Sequence, residues 1–455
     1  MDMEFGSYDK AEQRAQKAFE LYEDGKMSQA LAELDTAIEI NPSSSCLHFN
    51  KALTLDAVSR FAEAIGEYET ALQLSPHDLE IINSLAVDYT RTGQYDRAIE
   101  TFEYMQELDP KFEPCYCNRI ITYTEMGQHD LAEQMFYLAQ QIEPDCALCY
   151  YNIGNSLFAR GEYKKAIRCW LRTAELEPSH PQINYRIAQA YWSQGDKERA
   201  REHFLSELRG NPGDVEVILD FALFLLEVGD VESAKEKFNR ILEIKPDFAM
   251  ALFYLGEIAF DNGEHERAAA LFNEAIQKDG NLPGPRYRLA RYALSKGQKA
   301  EARSYLAAEL QLDLEDANTL ASMSSMFLAI GDADRAMNCL LRSVNVDGYN
   351  AETYYWLGLA SAAKGRFEDA EEFFSHALNI NSRHTDALKA SAHTCLATGR
   401  LADAAARVAQ ARTLAPKDRQ LRVLGYTIRV LSMVEVVESR FWRLSPRRWL
   451  RRIRR

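Results

Sequence analysis

Residues 147–180 read ALCYYNIGNSLFARGEYKKAIRCWLRTAELEPSH, and their spacing decides the fold. The large residues Tyr150, Ile153 and Leu157 recur at helical spacing up to Gly161. A second helical pattern then runs through Ala166, Trp170 and Leu176 to Pro178. The stretch therefore predicts a helix, a turn and a helix. Gly161 stands where the first helix must stop, because a left-handed C-terminal cap is cheap only without a β-carbon. Pro178 ends the second helix, since its ring supplies no N–H and disfavours a helical residue before it. Gly154 and Ala166 are small where the two helices must cross, and overpacking such a crossing costs about 1–3 kcal/mol.

This unit recurs without slippage. Every thirty-fourth residue from Ala30 to Ala404 is alanine, twelve of twelve, and Ala166 belongs to that column. Gly161 belongs to a second column, broken only by Ser59, and Pro178 to a third, in which Gly280, Leu314, Gly348 and Ser382 replace proline. A fixed period of this length marks an array in which each unit buries its apolar face only by stacking on its neighbours.

At Tyr150, Ile153, Gly154, Leu157, Ala166, Trp170, Thr173 and Pro178 the unit resembles the tetratricopeptide repeat family, with Thr173 alone departing from the usual small residue. The resemblance implies an all-α, right-handed superhelical solenoid of twelve helix-turn-helix repeats. In this register the repeats fill residues 11–418, beginning at 11, 45, 79, 113, 147, 181, 215, 249, 283, 317, 351 and 385. Residues 1–10 form a lead-in, 419–439 a capping helix and 440–455 a basic aromatic tail. Arg14 and Lys17 replace bulky apolar residues in repeat one, as suits an exposed terminal unit. Repeats eight to ten, which lack the terminal proline, should be the least regular.

Length alone would suggest about three globular domains, but an array grows without one large core, so a single elongated domain is expected. The opening MDMEFGSYDK does not read as a signal peptide, and no run of about 18 apolar residues occurs. A cytoplasmic protein is expected, with a peripheral place at a membrane open through the tail. Cys115, Cys117, Cys146 and Cys149 have a zinc-like spacing. Four thiolates on rigid stacked helices would, however, have to converge at about 2.3 Å on one ion. The reading prefers small buried residues and assigns no metal and no cofactor. The nine histidines are scattered, no HExxH or phosphate-binding glycine loop occurs, and the repeats leave no room for a catalytic domain, so no catalytic residue is assigned.

What the resemblance offers instead is a concave surface lined by the first helix of each repeat, which in the family commonly holds an extended peptide or a helix of another protein. One inward position runs through Tyr151, Tyr185, Phe253, Tyr287 and Tyr355, flanked by Asn152, Asn155, Arg186, Gln189, Arg288 and Arg291, with Trp192 one turn further on. Tyr151, Asn152, Asn155, Tyr185, Arg186, Gln189, Trp192, Tyr287, Arg288 and Arg291 are the candidate protein-binding residues. Aromatic anchors beside amides suit recognition of a chain by its backbone. The same aromatic stripe also suits packing between neighbouring helices, and both readings stand at this level. The lysine, asparagine and arginine clamp by which some family members hold acidic chaperone tails is absent where Asn155 could start it, because Tyr151, Glu216 and Asp220 occupy its basic positions. The basic stretch Arg286, Arg288, Arg291, Lys296 and Lys299 of repeat nine suits an acidic partner but lacks the asparagines.

Charge separates the tail from the rest. Residues 1–439 carry 45 basic and 68 acidic side chains, whereas 440–455, RFWRLSPRRWLRRIRR, carry eight arginines and no acid. Arg447, Arg448, Trp449, Arg451, Arg452, Arg454 and Arg455 suit an anionic membrane surface. They also suit RNA, or contact with the acidic body itself or another protein. The acidic body argues against broad nucleic-acid binding, since it repels phosphate. A scaffold for protein segments is the leading expectation, and a membrane- or RNA-associated assembly factor placed by its tail is the alternative.

Overall fold

The computed structural model describes residues 2–312 and 316–443, and of their side chains those of 10–312 and 316–434. All regular structure among them is helical. Each predicted repeat is a helix pair, as in Ala147–Ala159 with Tyr163–Leu176, and the last helix is Arg419–Arg443. Gly161 takes φ +77°, as the predicted cap requires, and Ser59 takes the same left-handed conformation at φ +61° without being glycine.

The chain divides into two compact units, Met1–Asp230 and Val231–Arg455. The boundary falls in repeat seven, between Val215–Glu227 and Val231–Ile244. In the first unit, the position of Trp170 is held through the second helices by Leu34, Tyr68, Phe102, Phe136 and Phe204, all buried. In the second unit it is held by Phe238, Phe272, Leu306, Leu340, Phe374 and Val408, also buried. Trp170, Phe272 and Phe374 close over Gly154, Gly256 and Gly358, where an added β-carbon would stand less than 3 Å from the ring. Burying one such aromatic contributes about 1.5–3 kcal/mol.

Thr173, the departure from the small-residue pattern, is tolerated for a specific reason. It is fully buried, and its hydroxyl donates to the carbonyl oxygens of Ala147 at 3.3 Å and Cys169 at 3.2 Å. Ser343 occupies the same position in repeat ten and donates to Ala317 O at 2.9 Å. A hydroxyl placed this way satisfies a carbonyl at the start of the paired helix, so its burial leaves no orphaned polar atom.

Irregularity concentrates in repeat nine. Its helices, Pro285–Ser295 and Lys299–Glu309, are 11 residues each against 13 and 14 in repeat five. Gly284 takes φ +108°, and its N–H donates to the buried Glu309 carboxylate at 2.5 Å. A side chain replaces the missing proline turn in closing that junction.

Both chain ends differ from the expected boundaries. The helix Asp2–Glu23 absorbs the lead-in placed at residues 1–10. The capping helix runs to Arg443, four residues beyond the boundary set at 439, so the tail begins as helix. Leu421, Leu424 and Ile428 bury against the last repeat, whereas Val423, Tyr426, Met433 and Val434 stay exposed. The tail residues Arg447, Arg448, Trp449, Arg451, Arg452, Arg454 and Arg455 lie outside the described residues.

Candidate functional site

In the first unit the candidate residues sit on two successive first helices, Ala147–Ala159 and Ile183–Gln194, and face a third, Val215–Glu227. Tyr151 is half-buried, with its ring centroid 4.4 Å from that of His180. Asn155 is likewise half-buried, one turn along the same helix.

Two of the candidates are not surface residues. Asn152 is 5% exposed and donates its amide to Cys117 Sγ at 3.3 Å. Tyr185 is 1% exposed, and its hydroxyl donates to Asp220 Oδ2 at 2.8 Å. Their periodic position gave no sign of this, because burial at an inward position depends on what the next repeat places opposite. The inward aromatic stripe is in large part structural: Phe253 packs on Phe272 at 5.9 Å and Tyr355 on Phe374 at 6.3 Å, each across its own repeat.

The remaining polar groups of this face are drawn toward carboxylates of the third helix. Gln189 donates to Asp220 Oδ2 at 2.9 Å, Arg186 donates to Gln189 Oε1 at 3.3 Å, and Trp192 Nε1 donates to Glu227 Oε2 at 2.6 Å. Trp192 also packs edge-on against Phe224. The sequence reading used Glu216 and Asp220 only to exclude a clamp and did not single out Glu227. All three lie on one helix, and they give the face an acidic rather than an amide character.

In the second unit, Arg288 pairs with Glu257, and Arg291 lies 5.8 Å from the Phe260 ring centroid. Burial pushes the Glu257 carboxyl above its ordinary range, with the neighbouring Arg288 opposing. Tyr287 packs against the core of repeats nine and ten. Arg288 and Arg291 are thus engaged by side chains of the preceding repeat. Further along, a depression of ≈ 480 Å³ is lined by Tyr355, Asp386, Lys389, His393 and Gln420. The last four were not singled out in the sequence, although Lys389 and His393 occupy in repeat twelve the places of Tyr151 and Asn155.

The cysteine cluster also departs from its reading. Cys115 turns into the core, where its thiol donates to Phe102 O at 3.2 Å, and the Glu113 carboxylate stands in its place beside Cys117, Cys146 and Cys149. All eight cysteines are free thiols. Among the described residues no helix is long and apolar enough to cross a membrane.

Crystal structures similar to this chain include the APC/C hetero-tetramer Cut9-Hcn1, at 14% identity and TM-score 0.41, covering 92% of this chain and 96% of that one. Yeast Tom70 is similar at 13% identity and TM-score 0.39, covering 95% and 96%. A tetratricopeptide repeat protein from Parabacteroides merdae is similar at 16% identity and TM-score 0.45, covering 58% and 99%. No curated protein sequence matches the chain. The profile of the N-terminal repeat region of Psidin matches residues 12–137. Two tetratricopeptide repeat profiles match 151–215, 219–283 and 323–385, and 361–424. With a helix pair in every repeat and these profiles matching along most of its length, the chain belongs to the tetratricopeptide repeat family.

Proposed function

We propose that this chain is a non-enzymatic scaffold whose first helices in repeats five to seven hold an extended protein segment, and that the segment carries basic side chains. Proteins of this family are generally protein-interaction scaffolds. The observation that carries the finer reading is the row of carboxylates on Val215–Glu227. Asp220 and Glu227 are oriented by Tyr185, Gln189 and Trp192 from the neighbouring helix. Carboxylates fixed along a groove favour a cationic segment and disfavour an acidic one, which sets specificity and association rate more than raw affinity.

The test is site-specific photocrosslinking in the full chain. A crosslinking residue at Asn155 should capture protein partners, and one at Leu138, which is exposed on the second helix of repeat four, should not. Asp220→Asn should weaken the Asn155 capture and reduce its loss on adding salt. Capture confined to Leu138, or unchanged by Asp220→Asn, overturns the reading.

A further inference from the structure

We infer that Glu113, Cys117, Cys146 and Cys149 form a structural zinc site that ties repeat four to repeat five. One ligand atom from each residue lies within 4.8 Å of the other three. A tetrahedral zinc ion with Zn–S bonds of about 2.3 Å holds its sulfurs roughly 3.8 Å apart. The four groups therefore need only a small contraction, which rotation about side-chain bonds supplies without moving a helix.

Local structure explains the convergence. Glu113 opens the helix Glu113–Glu125, and Cys117 follows one turn later on the same face. Cys146 is the N-cap of Ala147–Ala159, where its sulfur accepts from Cys149 N at 3.2 Å. Capping turns Cys146 back toward Cys149 in the first turn, giving a Cys-x-x-Cys pair at a helix start. Cys149 in turn donates its thiol to Glu113 Oε1 at 2.8 Å, so the two helices already touch through prospective ligands.

The donor set selects the ion. Three sulfurs and one carboxylate suit zinc, and they exclude magnesium and calcium, which take oxygen ligands. Four protein ligands leave no open position, which is the arrangement of a structural site rather than a catalytic one. Loading releases the thiol protons, and the resulting anionic cluster faces the positive ends of two helices. Asn152 supplies the outer support by donating its amide to Cys117 Sγ. That contact gives the buried Asn152 a role that a peptide-binding groove does not. Cys117 and Cys149 are buried, and Glu113 and Cys146 are half-buried, so the site is screened from water yet reachable by an ion.

The experiment uses the full-length chain, reduced and stripped with chelator, titrated with cobalt(II) as the spectroscopic probe and then with zinc. One equivalent of cobalt should produce a thiolate charge-transfer band and the ligand-field bands of a tetrahedral site, and zinc should abolish both stoichiometrically. Cys146→Ser and Cys149→Ser should lose these bands, whereas Cys46→Ser, at an exposed position, should keep them. Asn152→Ala should weaken zinc about 10–100-fold, as loss of an outer-shell partner does. Should a serine variant misfold, alkylation of the unmodified chain decides the matter. Zinc should protect Cys117, Cys146 and Cys149 and leave Cys46 reactive. No cobalt band, bands that survive in both serine variants, or equal alkylation with and without zinc overturns the assignment.

Discussion

Trp170 Nε1 donates to the main-chain carbonyl of Tyr151 at 3.1 Å, and the indole lies so close to Gly154 that a β-carbon there would stand 2.6 Å from Trp170 Cδ1. The glycine of the first helix and the tryptophan of the second are thus a matched pair, and neither can change alone. Gly154→Ala should destabilise the first unit by about 1–3 kcal/mol. Gly66→Ala should do the opposite. Gly66 lies within the helix Phe61–Leu74 with nothing near its missing β-carbon, so alanine should gain roughly 0.5–1 kcal/mol. Thermal unfolding of the two variants checks both signs, and equal effects would contradict the packing account.

Asp88 gives the first unit a pH dependence. Its carboxylate is buried; one oxygen accepts from Arg91 at 3.2 Å, while the other has no hydrogen-bond partner. Burial, with the charge of Asp56 nearby, pushes the Asp88 carboxyl up to about 6. The unfolded chain binds that proton only below about pH 4. Between those values the folded state holds more protons, so its stability is fully present below about pH 4 and is lost as pH rises through 6. Asp88→Asn should therefore raise the melting temperature at pH 7–8, with the gain shrinking between pH 6 and 4. A gain that persists unchanged at pH 4 would assign the effect to something other than this carboxyl.

Asn152 and Asn155 should separate cleanly. Asn152→Ala removes a buried amide and is expected to cost about 1–3 kcal/mol of stability. Asn155→Ala, at a half-buried position, should stay within about 0.5 kcal/mol. It should also weaken partner capture by the groove. Loss of capture only in Asn152→Ala would mean that the fold, and not the groove, was being measured.

Glu309 should hold repeat nine together. Its side chain is fully buried and accepts the Gly284 N–H, and burial raises its carboxyl above the ordinary range. Glu309→Ala leaves that N–H without its acceptor and should cost about 1–3 kcal/mol. Amide hydrogen exchange should locate the loosening at the junction before Pro285. Uniform acceleration across the second unit would indicate a global effect instead.

The tail is testable from its sequence. Ending the chain at Ser439 should abolish binding to vesicles of anionic lipid, and binding by the full chain should fall steeply with salt. Trp449→Ala should reduce the binding that remains at high salt, where insertion outlasts screened charge. Unchanged vesicle binding after truncation, together with a lower melting temperature, would make the tail an intramolecular brace.

The repeat unit, its turns and its helix boundaries were legible in the sequence, because each rests on a local requirement. A cap needs the left-handed region at Gly161, a crossing needs a small residue at Gly154, and a helix cannot pass Pro178 unbroken. These demands act within one unit and recur with the 34-residue period in most of the repeats. What tertiary structure decided lies between units. Asn152 and Tyr185 hold the register of surface positions, yet both are buried, because Cys117 and Asp220 of the neighbouring repeats receive their polar atoms. Cys115 and Cys149 occupy the same place in consecutive repeats, but Cys115 donates to Phe102 O in the core whereas Cys149 meets Glu113, Cys117 and Cys146. Which side chains converge across a stacking interface depends on helix rotation and rotamer, and the period that specifies each repeat carries no record of either.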